Sequence, residues 1–188
     1  MNLRRRKQPA AVREQILAAA RQVLAEDGAA ALTFDSVLAR TDLSKGGIQY
    51  HFRTKQALLD GLFHHLMETF QRVLEEELQL QPAGPQQRIR AYINVVCRSA
   101  ESLCDAREAI AILMADPKYL RSNDEALQSY FSPDALPADL LTTCRMAVDG
   151  LWHAQVLYGE PQREVIERVR SCLLRLLDAE LPASRLRR

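Results

Sequence analysis

Residues Thr33–Lys55 read TFDSVLARTDLSKGGIQYHFRTK. The stretch holds two short helical patterns with a tight turn between them. The first opens at Thr33, a good N-cap, and carries Val37 and Leu38 inward. Thr41-Asp42 makes the turn. The second opens at Ser44-Lys45-Gly46-Gly47 and closes at Tyr50-His51-Phe52, with Ile48 and Phe52 one turn apart and facing a core. A helix that starts with small residues and carries cationic and hydrogen-bonding side chains fits a DNA major groove.

Each outward feature of the second helix has a physical use if DNA is the partner. Gly46 and Gly47 are poor helix formers, costing about 1 kcal/mol each relative to alanine. Their missing side chains let the backbone approach phosphates and bases, and the first-turn amides favour an anion. Lys45 reaches a phosphate or a guanine edge, and Gln49 pairs with an adenine edge. Tyr50 and His51 donate to phosphate oxygens, and Lys55 holds another phosphate. The bland alternative is simply a weak surface helix.

Outward from this stretch the chain is helical throughout. A basic arm, residues 1–9, ends at Pro9. Helix 1 runs from about Ala10 to Asp27 on the stripe Val12, Ile16, Ala20, Val23 and Leu24, and Gly28 stops it. Thr54 caps a long fourth helix whose stripe, Leu58 to Leu74, ties the small head to the rest. Gln81-Pro82-Ala83-Gly84-Pro85 breaks the chain. Helix 5 then carries Ile89 through Ala100 and Leu103. A short helix 6 is ended by Asp116-Pro117, and another short helix lies near Asp124–Phe131. Helix 8 spans about Pro137 to Tyr158, and helix 9 reaches about Asp178. No strand pattern and no internal repeat competes. The expectation is an all-α fold of about nine helices. A three-helix head, 1–54, is joined by a long helix to an all-helical body, 55–188.

Composition agrees with a DNA-binding head on an acidic body. Apolar residues make up 47% and the net charge is +1. Residues 1–60 hold ten Lys and Arg against six Asp and Glu, and the remainder holds fifteen against eighteen. Arg4-Arg5-Arg6-Lys7 supplies most of the head's excess, although such clusters are often solvated tails. No apolar run approaches the roughly 18–20 residues of a membrane span, and no signal-peptide core follows the basic N-terminus. The expected location is the cytoplasm, with no membrane partner. Cys97, Cys104, Cys144 and Cys172 form no zinc or disulfide spacing and read as four core thiols. His64 and His65 are adjacent and diverge by about 100°, so they make no i,i+4 metal pair. No metal, cofactor or catalytic residue is expected.

Leu43–Leu59, LSKGGIQYHFRTKQALL, resembles the helix-turn-helix signature of the TetR family of transcriptional regulators. That family commonly shows V-S-K-G-T-L-Y-H-Y-F, then a Ser/Thr-Lys-Glu-Ala-Leu-like start of the fourth helix. Glu26-Asp27-Gly28 and Leu32-Thr33-Phe34 fit as well. The resemblance is specific over about residues 12–67 and rests on architecture beyond. It implies DNA contacts for Thr33, Ser44, Lys45, Gly47, Gln49, Tyr50, His51 and Lys55. Gln49 stands where the family usually has tyrosine, Gly47 where it has Thr or Ser, and Asp42 where glycine is common. The first two differences bear on the sequence recognised. The turn survives the third, because Asp tolerates left-handed geometry.

The resemblance further implies a homodimer and a small-molecule effector bound in the body. Effector candidates are Phe70, Tyr92, Asn94, Cys97, Met114, Tyr130, Phe131, Trp152 and Gln155, with core packing the plain alternative for each. Helices 8 and 9 carry apolar stripes too wide for one face, which places Leu141, Val148, Leu151, Val169, Leu173 and Leu176 at a two-fold bundle. The function read from the sequence is a ligand-responsive dimeric repressor of a palindromic operator, released by a mostly apolar effector. The alternatives are a small-molecule-binding protein or helical adaptor without a DNA role, and a repressor sensing oxidation at Cys97 or Cys104, which stand seven apart on one helical pattern.

Overall fold

The structure, a computed structural model, describes residues 9–100, 103–158 and 163–180, with side chains of 103–106 and 155–158 excepted. Among these residues there are nine α-helices, one 3-10 turn and no strand. They are α1 (Pro9–Asp27), α2 (Phe34–Leu38), α3 (Lys45–His51), α4 (Lys55–Leu78), α5 (Gln87–Ser99), α6 (Leu103–Leu113), α7 (Pro117–Phe131), α8 (Ala138–Tyr158) and α9 (Arg163–Ala179). No helix among them is long and apolar enough to cross a membrane.

Local chemistry sets the boundaries. Pro9 opens α1, where its missing N–H is no loss. Gly28 stops α1 at φ 79° and ψ 175°. That positive φ with extended ψ is used almost only by glycine. Gly28→Ala should therefore cost about 1–3 kcal/mol, read as a lower urea midpoint with an unchanged slope. An unshifted midpoint would mean the turn relaxes freely.

Three sequence readings change. Asp116-Pro117 does not only end α6; it starts α7. Pro117 takes the first helical position, and the Asp116 carboxylate accepts from the Lys118 amide at 2.9 Å. The helix expected near Asp124 therefore begins seven residues earlier. Helix α5 ends at Ser99, and Leu103 opens α6, so Cys97 and Cys104 stand on different helices rather than one face. Cys172 is exposed, whereas Cys97 and Cys144 are buried; the Cys104 side chain lies outside the described residues.

The chain divides into two compact units. One is Met1–Glu68 with Arg107–Leu120, the other Thr69–Ala106 with Arg121–Arg188. The core of the first runs across Thr54. Ile16, Leu17, Val23 and Leu24 of α1 meet Val37, Ile48 and Phe52, then Leu58, Leu62 and Phe63 of α4, with Ile112 and Tyr119 closing it. Short α2 and α3 bury too little alone. Each further Leu, Ile or Phe side chain removed from water adds about 1.5–3 kcal/mol. Polar ties reinforce the same unit. Asp60 Oδ1 accepts from the Tyr119 hydroxyl at 2.6 Å and the Lys118 ammonium at 2.7 Å. Those bonds, Lys118 foremost, hold the Asp60 carboxyl below its usual range.

In the second unit α5 packs on α8 and α9, and α8 on α9, around Ile89, Ile93, Val96, Cys144, Val148, Ile166, Leu173 and Leu177. Both ends of this packing are satisfied from afar. Asp134 accepts from the Arg88 and Ile89 amides at 3.2 and 2.9 Å, capping α5 where Gln86 does not. Gln86 instead donates to the Leu177 carbonyl at 2.7 Å.

Candidate nucleic-acid interface and body sites

The head holds α3 by its two neighbours and leaves its outer face bare. Thr33 caps α2 as expected, with an unforeseen partner. Thr33 Oγ1 accepts from the Ser36 amide at 3.0 Å, and Ser36 Oγ accepts from the Thr33 amide at 2.9 Å. This reciprocal box satisfies two donors that a helix start otherwise leaves open. Arg40, at the end of α2, donates to Glu26 at 2.9 Å and Asp27 at 2.6 Å, clamping α2 to the last turn of α1. Those two carboxylates raise the guanidinium's pKa. Arg40 and Ser36 went unnoticed because each acts through a tertiary or reciprocal bond that spacing does not display.

Ser44 caps α3, its hydroxyl accepting from the Gly47 amide at 3.1 Å. Ile48 and Phe52 are buried; Lys45, Gly46, Gln49 and Tyr50 are exposed, Tyr50 to 79%. His51 is half-buried, with its ring edge-on to Tyr50 at 5.2 Å between centroids. A Cβ on Gly46 would meet nothing within 4 Å, so no contact among the described residues requires glycine there. At Gly47 a Cβ would stand 3.3 Å from the Ser44 hydroxyl, pressing on the cap. Lys45 is not free: its ammonium lies 3.0 Å from Asp35 of α2. Both ends of that pair are largely exposed, so separating them costs at most about 1 kcal/mol. Thr54 caps α4 by accepting from the Ala57 amide at 3.0 Å, leaving Lys55 exposed at its start. Thr33, Ser44, Lys45, Gly46, Gly47, Gln49, Tyr50, His51 and Lys55 thus fall within α2, α3 and the first turns around them.

This geometry is matched by sequence profiles. Residues 16–62 match that of bacterial regulatory proteins of the tetR family, and residues 86–178 match that of the tetracyclin repressor-like C-terminal domain. The chain belongs to the TetR family. It is a DNA-binding transcriptional regulator of the helix-turn-helix type. Solved TetR-like structures share its fold. A transcriptional regulator from Pseudomonas aeruginosa PAO1 superposes with TM-score 0.68 at 17% identity, covering 93% of this chain and 94% of its own. A TetR-like regulator from Rhodococcus sp. RHA1 gives TM-score 0.68 at 17%, covering 93% and 100%. The multidrug binding protein EbrR, complexed with ethidium, gives TM-score 0.62 at 24%, covering 88% and 97%. The sequence matches no curated protein.

The effector candidates of this TetR-family chain separate into groups. Phe70, Tyr92, Tyr130 and Phe131 form one aromatic cluster, with centroids 6.1 Å apart for Phe70–Tyr92 and 5.2 Å for Tyr92–Phe131. The Tyr92 hydroxyl donates to the Asp149 carboxylate, which also faces Arg145 Nε at 3.5 Å. Burial and the Asp149 charge push the Tyr92 hydroxyl's pKa well up, and burial raises that of Asp149. Tyr130 Oη and Arg145 Nε are buried and have no hydrogen-bond partner among the described residues. Neither Asp149 nor Arg145 stands out in the sequence, since no spacing marks a partner on another helix. Trp152 packs against the same core, its indole N–H donating to Ser99 Oγ at 3.0 Å. Asn94 and Cys97 line a separate polar cleft. Met114 falls in the other unit and is 65% exposed. The Gln155 side chain lies outside the described residues. Among the described residues no group of His, Cys, Asp and Glu could hold a metal ion.

The dimer candidates fall on different faces of α8 and α9. Val148, Leu151 and Leu173 are packed in the chain's own core and are unavailable to a partner. Leu141 and Val169 are half-buried, and Leu176 is exposed. The outward seam of α9 is Val165, Val169, Cys172 and Leu176, spaced four, three and four apart. That is the spacing of a coiled-coil contact line. Exposed Met146 and Gly150 lie on the outer side of α8. Both helices carry two apolar faces, and period alone does not say which is inner.

Proposed function

We propose that the protein is a homodimeric, cytoplasmic repressor that binds a palindromic operator and is released by a small aromatic cation. The exposed face of α3, capped at Ser44 and anchored by Ile48 and Phe52, carries the DNA half of this reading. Residues 1–54 contact DNA, and residues 55–188 carry the dimer and effector surfaces. Lys45, Gln49 and Tyr50 project from the exposed face of α3. The α9 seam and Met146 meet their two-fold copies, setting the heads about 34–36 Å apart for successive major grooves.

The effector half rests on the aromatic cluster beside Asp149. Aromatic rings and a half-buried carboxylate together suit a flat cation, by cation–π attraction and charge. EbrR, solved with ethidium and with imidazole, supports this choice. Tyr92 and Phe131 are each 3% exposed, so a ligand has to displace packed rings. That displacement is where binding energy changes conformation, with coupling of about 1–3 kcal/mol.

The test is a binding assay on DNA upstream of the gene, with ethidium as the probe effector. Saturable, salt-dependent binding that ethidium weakens is the expected result. Binding to no duplex would leave a small-molecule binder or an adaptor instead. Lys55→Ala should weaken all duplexes alike and make the salt slope shallower by about 1 per head. Gln49→Ala should relax preference at one base position of each half-site, by about 1–3 kcal/mol there. An unchanged sequence preference in that variant would remove Gln49 as a base reader.

A further inference from the structure

The last turn of α4, the second half of α5 and one side of α9 enclose an open cleft of about 300 Å³. Its lining is Glu77, Asn94, Cys97, Arg98, Glu167 and Arg170. Two carboxylates and two guanidiniums cancel in charge, but their hydrogen bonds do not cancel. Glu77 is 6% exposed and already accepts from Asn94 Nδ2 at 3.0 Å, Gln81 Nε2 at 2.7 Å and Arg98 Nη2 at 2.8 Å. Both oxygens of Glu167 accept from Arg170, at 2.8 to 3.3 Å. Arg170 Nη1 also donates to Asn94 Oδ1 at 3.2 Å.

The acceptors are therefore occupied while donors are left over. A guanidinium carries five N–H groups. Arg98 commits one, and Arg170 commits three. The surplus belongs to two planar forks bordering one small space. Such forks match a planar carboxylate in two parallel bonds. We propose that this cleft binds a small carboxylate-bearing molecule between Arg98 and Arg170, its apolar part lying toward buried Cys97. The volume sits at the lower end of ligand pockets, which limits the molecule to a compact acid. The charge-balanced lining lets an anion enter without net repulsion.

The site is separate from the aromatic cluster and takes the opposite charge. It also lies on α9, whose other side carries Val165, Val169 and Leu176, so a bound acid acts on the proposed dimer helix. The assignment does not rest on the DNA reading, because its test contains no DNA.

The test is calorimetric titration of the full-length protein with benzoate, benzamide and inorganic phosphate. Benzoate should bind saturably, benzamide should not, and phosphate should bind more weakly than benzoate. Arg170→Gln should weaken benzoate about tenfold or more, with little change in melting temperature. Arg98→Lys keeps the charge beside Glu77 and removes the fork, so it should show a similar loss even if Arg98→Gln fails to fold. No saturable benzoate heat, equal binding of benzamide, or phosphate binding more tightly would overturn the proposal. So would benzoate affinity unchanged in both folded variants, which would leave the cluster a structural tie between helices.

Discussion

Gly61→Val is expected to lower the stability of the DNA-binding head by about 2–3 kcal/mol, near the upper end of overpacking costs. A Cβ at Gly61 would stand 2.6 Å from Phe52 Cε1, 3.2 Å from Cζ and 3.4 Å from Leu17 Cδ2. Phe52 cannot swing aside. It is buried, follows α3 directly, and has the Arg13 guanidinium over its ring at 5.5 Å. Close approach at Gly61 therefore lets α4 seat the end of α3. Alanine should do less harm, since it recovers about 1 kcal/mol of helix propensity. Valine adds two methyl carbons to the clash and has little propensity to return. Urea unfolding of both variants, with operator affinity measured in parallel, gives the check. Affinity should fall with valine even where the protein remains folded, because the tilt of α3 depends on Phe52. A valine variant with the original midpoint would mean that the ring has room to move.

The second large effect is on assembly. Val165→Asp combined with Leu176→Asp should convert the protein to a 21.3 kDa monomer at micromolar concentration. Both residues are more than two-fifths exposed in the isolated chain. Their loss should leave the monomer's own core intact, so the melting signal of the fold remains. Charges placed in an apolar two-fold seam lose water on association, and each meets its own copy. Without the partner head, the second half-site is no longer bound at high local concentration. Operator affinity should drop by about 10²–10⁴. Light scattering reads the mass, and a half-site duplex serves as control, with nearly unchanged affinity. A variant that still scatters as a dimer would place the interface elsewhere.

Much of the head was legible because its signals are local. Thr33, Ser44 and Thr54 announce helix starts within three residues, and Ile48 and Phe52 declare their face by one-turn spacing. Gly28 declares a stop. The contribution of Gly61 was invisible, since a glycine inside a helix shows its purpose only when the facing ring is known. Pro117 was ambiguous in kind: proline both closes one helix and opens the next, and pattern alone chose the first. In the body the α9 residues needed one more fact than periodicity supplies. Val165, Val169 and Leu176 make as good a stripe as Ile166, Leu173 and Leu177, and only the fold tells which meets α5. Charged positions were hardest. Arg98, Asp149 and Arg170 each look like solvated surface in the sequence, yet each has a partner on another helix.

The bare outer face of α3 has a consequence for how such a chain changes over generations. A side chain at Gly46 would meet no described residue, Gln49 and Tyr50 are exposed, and Lys45 leans on one exposed carboxylate. Substitutions at these positions barely perturb folding, so their effects fall almost wholly on which address in the genome is read. A duplicated copy can drift toward a new target there while Ile48, Phe52 and Gly61 keep the scaffold fixed. The inheritance of address is written on the outer side of α3, and the inheritance of shape on its inner side and on what meets it there.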